Sequence, residues 1–272
     1  MKLSWSKYEL SKSYDEYITS KRTVRGHLRK IGNFFESLSV NDLQELDSAT
    51  KSAIKSMGIN FRIHSEEGSE ERTWPLDFIP RIIKKKDWNK ISKGLAQRVR
   101  ALNFFIHDVY NDQKIFEDKI IPKNIILNSG NFRKECIGIK PPFNVWANIC
   151  GSDLVRDING EFLVLEDNLR VPSGVSYMLE NRMVMRDVFP ELFTRYKVSS
   201  IHQYPNKLYN CMQECVPKKT KNPHMVLLTP GIYNSAYFEH SFLAEQMGIA
   251  LVEGKDLFVE KDRKSTRLNS SH

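Results

Sequence analysis

The sequence predicts a mixed fold, in which an α+β region is followed by the start of an α/β layer. Three observations support this class: a long stretch with apolar residues at every third or fourth position, two apolar runs joined by Asn159-Gly160, and a strand-turn-helix-strand pattern over residues 224–254. The first spacing is typical of an amphipathic helix, the second of a β-hairpin, and the third of half of a parallel βαβ layer.

Residues 1–71 are expected to form a helical region that ends in an acidic linker. The segment FFESLSVNDLQELDSATKSAIKSMG has helical spacing, and SEEGSEE at 65–71 has the acidic, Gly- and Ser-containing composition of a linker. A further helix is predicted from an N-cap at Asp87. Its apolar face consists of Trp88, Ile91, Leu95, Val99, Leu102, Ile106 and Val109. We place Arg98 and Arg100 on its solvated side.

The charge distribution argues against a nucleic-acid-binding core. The chain has 41 Lys and Arg against 33 Asp and Glu, a net charge of +8. Residues 1–30 contribute +5 and residues 261–272 contribute +3, so the 230 residues between them are neutral. A polyanion-binding domain would concentrate basic residues in its body. No apolar run has the length of a signal peptide or a membrane helix, so we expect a cytosolic protein with no membrane or nucleic-acid partner.

The functional site is predicted to lie on the hairpin. If Asn159-Gly160 is a two-residue type I′ turn, Ile158 faces Glu161, and the same register places Asp153 directly opposite Glu166. Like charges directly opposite each other destabilise a sheet, so we expect another interaction to offset the repulsion between the two carboxylates.

A bound divalent cation would offset this repulsion. Asn168 follows Glu166 on the same face, and the oxygens of Asp153, Glu166 and Asn168 suit Mg²⁺. The alternative is an exposed hairpin with solvated acids. Apolar pairs predicted on both faces argue against that alternative, because they imply a sheet covered on each side. These pairs are Val155 with Val164 and Leu154 with Leu165.

The same residues resemble a known family. Asp153, Glu166, Asn168 and Arg170 are similar to the magnesium-binding end of ATP-grasp enzymes, in which an Asp on one strand is followed by Glu-x-Asn on the next. The string LEDNLRVPSGVSYMLENR resembles the circularly permuted ATP-grasp family of bacteria. Two further strings, GLAQRVRALNFFIHDVY upstream and LTPGIYNSAYFEHSFLAEQMG downstream, extend the resemblance over about residues 70 to 260.

The resemblance implies an ATP-dependent carboxylate–amine ligase that works through an acyl phosphate, with ATP and Mg²⁺ as cofactors. Carried over by position, Asp153, Glu166 and Asn168 would hold the metal, and Glu166 and Arg170 would be catalytic. All four would contact the nucleotide. Arg170 would reach the phosphoryl group or the tetrahedral intermediate, a task that suits a guanidinium fork better than an ammonium. The alternative for Arg170 is a surface ion pair with Asp167.

Substrate contacts are expected after this motif. Pro172-Ser173-Gly174 leads into a helix predicted over about 175–188, whose free N–H groups would suit a substrate carboxylate at Ser173, Gly174 and Ser176. The alternative is that Ser173 or Ser176 is a simple helix cap.

Further candidates for substrate binding follow. Arg182 could assist the carboxylate site, or could pair with Glu180 or Asp187 on the surface. Asn234 lies in the loop of the strand-turn-helix unit, where α/β sheets bind ligands, and the resemblance implies that Asn234 or Glu239 could contact substrate. His240, six residues after Asn234, is expected to be a packed histidine.

The predicted layout is an N-terminal helical region with its linker at 1–71, an ATP-grasp magnesium lobe at 72–217, and a partial Rossmann-like pre-ATP-grasp α/β domain at 218–262. Residues 263–272 are unlike the family, and we expect a non-native tail on a truncated reading frame. In the family, the phosphate-gripping lysines lie downstream of this point, so the chain is expected to be a fragment without ligase activity of its own.

Two other functions remain open. One is an ATP-grasp phosphotransferase, and the other is a non-catalytic module that binds a peptide or protein partner. The substrates of the ligase would be a small-molecule or peptide carboxylate and an amine. The sequence carries no signal for an oligomeric state.

Overall fold

The structure is a computed structural model that describes residues 4–65, 68–170, 172–216, 223–260 and 263–266. It combines helices with small two-stranded sheets, as the sequence predicted. The chain forms two compact units. We call them the body (residues 1–10, 15–81 and 173–272) and the hairpin unit (residues 11–14 and 82–172). The four-part division predicted from the sequence stays a prediction.

The body contains most of the regular elements. Its helices are α1 (Arg29–Ser37), α2 (Val40–Ser56), α6 (Val175–Val188), α7 (Pro190–Tyr196), α8 (Tyr204–Glu214) and α9 (Tyr237–Met247). Its strands are β1 (Asn60–Ser65), β2 (Gly68–Thr73), β5 (Val226–Leu228), β6 (Ala250–Val252), β7 (Leu257–Glu260) and β8 (Arg263–Thr266). Helix α2 begins with a capping box between Ser39 and Asp42, which satisfies two backbone donors reciprocally.

Two apolar clusters hold the body together. Phe35 is fully buried, and its ring lies 6.3 Å from the rings of both Phe78 and Phe189. The second cluster centres on Ile54, Ile59 and Val184. Burial of aromatic and branched side chains is the main stabilising contribution to such a core.

The segment predicted as an acidic linker is part of a β-hairpin instead. β1 pairs with β2 in antiparallel fashion, from Asn60 opposite Thr73 to Ser65 opposite Gly68. Residues 66 and 67 lie outside the described residues. The prediction was wrong because an acidic composition with Gly and Ser does not distinguish a linker from a short strand.

The parallel unit of the body matches the sequence pattern closely. β5 and β6 pair in parallel, with Leu227 opposite Leu251, and α9 connects them. Gly248 ends α9 in the left-handed conformation (φ 66°), which glycine adopts without steric cost at the end of a helix. β7 pairs with β8, so residues 263–266 of the predicted tail form a strand, and residues 267–272 lie outside the described residues. Whether the tail is native stays a prediction.

The hairpin unit is built on one long helix. Its elements are α3 (Lys85–Tyr110), α4 (Lys114–Glu117), α5 (Lys123–Leu127), β3 (Gly151–Arg156) and β4 (Phe162–Asn168). Helix α3 begins earlier than predicted, so Asp87 lies in its first turn rather than at the N-cap. Asn103 on α3 accepts hydrogen bonds from the backbone N–H groups of Trp146 (2.7 Å) and Ala147 (2.9 Å). This contact anchors the segment that enters β3.

Among the described helices, none is both long enough and apolar enough to cross a membrane.

Candidate functional site

The acidic pair lies where the sequence predicted it. β3 and β4 are antiparallel, and Asp153 is directly opposite Glu166. Both residues are exposed. Cross-strand partners have Cβ atoms about 5 Å apart, so two carboxylates converge on one patch of solvent-facing sheet.

The register that produces this pair differs from the prediction. Asp157 N–H donates to Glu161 O (2.9 Å), so the loop has three residues, Ile158 to Gly160, instead of two. Gly160 has a φ of 85°, which is typical of a three-residue loop with a glycine bulge. The longer loop shifts every pair near the turn by one residue, and Leu154 consequently faces Val164.

A bulge then restores the predicted register. The register shifts between Asp153 and Leu154, so that Leu165 on β4 has no partner of its own on β3. The predicted pairs of Val155 with Val164 and Leu154 with Leu165 are therefore wrong. The prediction for Asp153 and Glu166 is right because the loop and the bulge each add one residue and their effects cancel.

The acidic face is open to solvent, contrary to the prediction of a sheet covered on both sides. Val155, Leu163 and Leu165 on this face are 42%, 50% and 69% exposed. The opposite face is covered, and there the Arg156 guanidinium lies 3.9 Å from the centre of the Phe162 ring. The prediction failed because apolar side chains on both faces of a strand do not by themselves show that both faces are covered.

An amide completes the cluster. Asn168 lies at the end of β4 opposite Gly151, and its Nδ2 donates to Glu166 Oε1 at 3.2 Å. The part of the chain that the structure describes has no group of three or more His, Cys, Asp or Glu residues suited to a metal. A cation at this face would therefore have two carboxylates and one amide oxygen from the protein. Mg²⁺ fits this donor set, because it usually keeps water and phosphate oxygens as its other ligands.

Asp167, on the covered face, anchors the hairpin to α3. Its side chain is 6% exposed and forms an ion pair with Arg98 of α3. Ser152 Oγ donates to the same carboxylate at 2.7 Å. Burial raises the pKa of Asp167, but these hydrogen bonds and the charge of Arg98 outweigh it, and the pKa lies below its usual range.

This contact bears on two predictions. Arg98 is exposed, as predicted for the solvated side of its helix, and its guanidinium pairs from there with a buried carboxylate. The alternative role of Arg170, an ion pair with Asp167, does not fit, because Arg98 and Ser152 are the described partners of that carboxylate. Arg170 itself is exposed, two residues beyond β4.

The N-terminus of α6 differs from the prediction of free N–H groups. Gly174 N–H donates to Glu239 Oε1 and Oε2 at 2.9 and 2.8 Å, and Ser176 N–H donates to Oε2 at 3.0 Å. A carboxylate of the body thus already occupies the place expected for a substrate carboxylate. The alternative of a serine cap is also wrong, because Gly174 is the N-cap and no side chain of the helix's own start caps it.

The remaining substrate candidates have structural contacts. Arg182 donates to Ser199 O at 2.8 Å, rather than pairing with Glu180 or Asp187. Asn234 Oδ1 accepts from Ala236 N–H at 2.9 Å, a local turn just before α9.

His240 is the packed histidine that was expected. Its Nδ1 lies 2.9 Å from Thr229 Oγ1. Burial lowers its pKa, against the opposing charge of Glu239.

Sequence reasoning named Glu239 as a candidate substrate contact and missed its hydrogen bonds to the start of α6. It lies in the first turn of α9, where an acidic residue is normally explained by that helix's own dipole. Its partners are 63 and 65 residues away in the chain, so no local pattern connects them. Its burial to 5% exposure is the structural sign that it serves another element.

Comparison with known proteins gives a family match. The family model described as circularly permuted ATP-grasp type 2 matches residues 80–270. This range includes the acidic hairpin, α6 and the parallel unit.

Bacterial relatives match almost the whole chain. An uncharacterized protein of Synechocystis is 44% identical over 252 residues, which are 93% of this chain and 52% of the relative. An uncharacterized protein of Mycobacterium tuberculosis is 41% identical over 249 residues, 90% of this chain and 44% of the relative. A Frankia casuarinae protein named "Putative glutamate–cysteine ligase 2-2" is 36% identical over 259 residues, 95% of this chain and 30% of the relative. The chain thus spans about half the length of the first two relatives.

Proposed function

This chain belongs to the circularly permuted ATP-grasp type 2 family, and on that premise we propose that it supplies the magnesium-binding lobe of an ATP-dependent carboxylate–amine ligase. One observation carries the proposal: Asp153 and Glu166 lie opposite each other on an exposed sheet face, with Asn168 bonded to Glu166. The name of the Frankia casuarinae relative, which contains the words glutamate–cysteine ligase, supports the ligase class.

In this proposal the hairpin residues have separate roles. Asp153, Glu166 and Asn168 would hold Mg²⁺, which when bound neutralises the charge of the nucleotide phosphates. Arg170, exposed just beyond these ligands, would contact the transferred phosphoryl group through its guanidinium fork. Glu166 would also orient that phosphoryl group through its metal contact.

The reaction would proceed in two displacements. A substrate carboxylate oxygen attacks the γ-phosphorus of ATP, and ADP leaves, which produces an acyl phosphate. The amine nitrogen then attacks the acyl carbon, phosphate leaves, and the amine loses a proton as the amide forms.

The substrate carboxylate is assigned to the segment at the start of α6. Ser173 is the best placed candidate, because its side chain is exposed. Gly174 and Ser176 would contribute through the backbone conformation of this segment, since their N–H groups bind Glu239. Arg182 and Asn234 would bind substrate only after giving up the hydrogen bonds described above.

The metal assignment can be tested on the 272-residue chain with Mn²⁺, which accepts the same oxygen ligands and can be followed by electron paramagnetic resonance. Glu166→Gln should weaken Mn²⁺ binding at least about tenfold, since it removes a charged ligand. Glu161→Gln is the matched control on the same hairpin and should leave binding unchanged. Equal affinities for Glu166→Gln and the unaltered chain would refute the assignment.

The reaction class can be tested on the complete Synechocystis relative, by incubation with ATP, Mg²⁺ and a panel of amino acids and short peptides. A ligase yields ADP, phosphate and an amide that mass spectrometry detects. A phosphotransferase leaves a stable phosphate ester, and a non-catalytic module consumes no ATP. Either of the last two results would replace the ligase proposal.

A further inference from the structure

Helix α6 begins without a cap of its own. Gly174 occupies the N-cap position in a left-handed conformation with a φ of 103°. The hydroxyl of Ser176 is buried and has no hydrogen-bond partner in the described structure, so it does not serve as a cap. A helix start leaves backbone N–H groups unsatisfied, and burying them without acceptors costs free energy.

Glu239 supplies the missing acceptors from a distant part of the chain. Its carboxylate receives three hydrogen bonds, two from Gly174 N–H and one from Ser176 N–H, at 2.8 to 3.0 Å. Charge-assisted bonds of this kind are about twice as strong as neutral ones.

The surroundings make this contact hard to replace. Glu239 is 5% exposed, and Ser176 is fully buried. Next to them in sequence, the rings of Tyr177 and Phe238 stack at 5.1 Å, and Tyr177 stacks on Trp74 at 4.1 Å. A buried carboxylate among aromatic rings would be strongly destabilising unless it were hydrogen-bonded. The carboxylate and the helix start therefore satisfy each other, and neither has a local substitute.

We propose that Glu239 is a positioning residue for the ligase reaction, which fixes the backbone of Ser173–Ser176 by acting as the N-cap of α6. The inference rests on the proposed function, which assigns the substrate carboxylate to this segment. Glu239 itself does not contact substrate. It holds Gly174 in its left-handed conformation and keeps the N–H of Ser176 directed inward, so that Ser173 is presented at a fixed place.

Amide hydrogen exchange on the 272-residue chain tests the positioning directly. In Glu239→Ala, exchange at Gly174 and Ser176 should accelerate at least about tenfold, which corresponds to the loss of one charge-assisted hydrogen bond. Glu239→Gln keeps one acceptor oxygen and should give an intermediate rate, which maintains a readout if the alanine variant does not fold. Glu245→Ala, on the same helix but exposed, is the matched control and should leave both amides protected.

Rescue by a small carboxylate separates positioning from general destabilisation. Formate can enter the space left by Glu239→Ala and accept the same N–H groups, so it should restore protection at Gly174 and Ser176, whereas chloride at equal ionic strength should not. Unchanged exchange in Glu239→Ala, or no difference between formate and chloride, would overturn the positioning role.

Turnover in the complete Synechocystis relative connects this contact to the reaction. Alanine at the residue aligned with Glu239 should lower amide formation at least about tenfold, and formate should recover part of the loss. Full activity of that variant would reduce Glu239 to a structural residue and overturn the proposal. If the unaltered enzyme forms no amide at all, the proposed function fails, and the exchange experiment still decides whether Glu239 fixes the helix start.

Discussion

Among the described residues, sixteen of the nineteen buried hydrophobic residues belong to the body and three to the hairpin unit. The exposed large hydrophobic residues have the opposite distribution, with thirteen of twenty-two in the hairpin unit, although this unit is only about a third of the chain. The body is thus stabilised by an apolar core. The hairpin unit depends on polar anchors, such as Arg98 with Asp167 and Asn103 with the backbone before β3.

The difference also extends to the surface of the hairpin unit. Exposed apolar patches on a folded protein mark surfaces that bind ligands or other protein. In the hairpin unit, such residues share the open sheet face with Asp153 and Glu166. The face proposed to bind Mg²⁺ is therefore also a face with exposed apolar side chains.

The largest predicted effect tests the apolar core of the body. Phe35→Ala should lower the free energy of unfolding by about 3–5 kcal/mol, because it removes a fully buried ring and leaves a cavity. Leu165→Ala, at a position 69% exposed in the hairpin unit, should change it by less than about 0.5 kcal/mol. Urea unfolding of both variants measures the two values. Similar losses would remove the contrast between the units.

A smaller effect is expected for the polar anchor of the hairpin unit. Arg98→Met should destabilise the protein by about 1–2 kcal/mol, since Asp167 keeps its burial but loses a charged donor. Arg100→Met, on the same helix and exposed, is the control and should have no measurable effect. Equal midpoints in urea for both variants would show that the anchor contributes nothing.

Acid should weaken this anchor. The pKa of Asp167 is lowered from 3.8, so its stabilising contribution is present above that value and is lost as the pH falls through the folded pKa. Urea midpoints between pH 5 and pH 2 should therefore depend on pH less steeply in Arg98→Met than in the unaltered chain.

The smallest predicted effect on stability concerns a buried glutamate of the body. Burial, with a further contribution from the charge of Glu245, raises the pKa of Glu180 from 4.5. The contribution of the Glu180 carboxyl group to the stability of the folded protein is fully present below pH 4.5 and is lost as the pH rises through the folded pKa. This pH dependence is opposite in direction to that of Asp167. Glu180→Gln should therefore stabilise the protein at pH 7 by about 1 kcal/mol. Thermal unfolding at pH 7 measures this.

The control for this change is Glu191→Gln, at an exposed ion pair on α7, which should shift stability by less than about 0.5 kcal/mol. A loss of stability in Glu180→Gln would mean that the ionised carboxylate contributes favourable contacts.

Local patterns were sufficient for much of the fold. The spacing of apolar residues and the prolines around α6 predicted its bounds of 175 and 188, and Gly248 marked the end of α9. The same kind of reasoning failed at residues 65 and 68–71, where composition alone cannot distinguish a linker from a strand.

The site was predictable only where its residues are close in sequence. The Asp153 and Glu166 pair came from counting along a single hairpin, although two deviations from the assumed register had to cancel. The contact of Glu239 with α6 was not predictable, because it joins helices from different parts of the chain through backbone donors that have no sequence signature.

The bulge at Leu165 has a practical use for protein engineering. It separates the hairpin into an outer part, from Leu154 and Val164 to the loop, and an inner part that contains the carboxylates. We expect a change in loop length to alter the outer pairs first, because the bulge already lets the two parts differ in register. Ile158, 70% exposed at the loop, is therefore a suitable attachment point for a spectroscopic label. Gly160 should be left intact there, since a Cβ at this position would lie 2.5 Å from the Tyr14 ring.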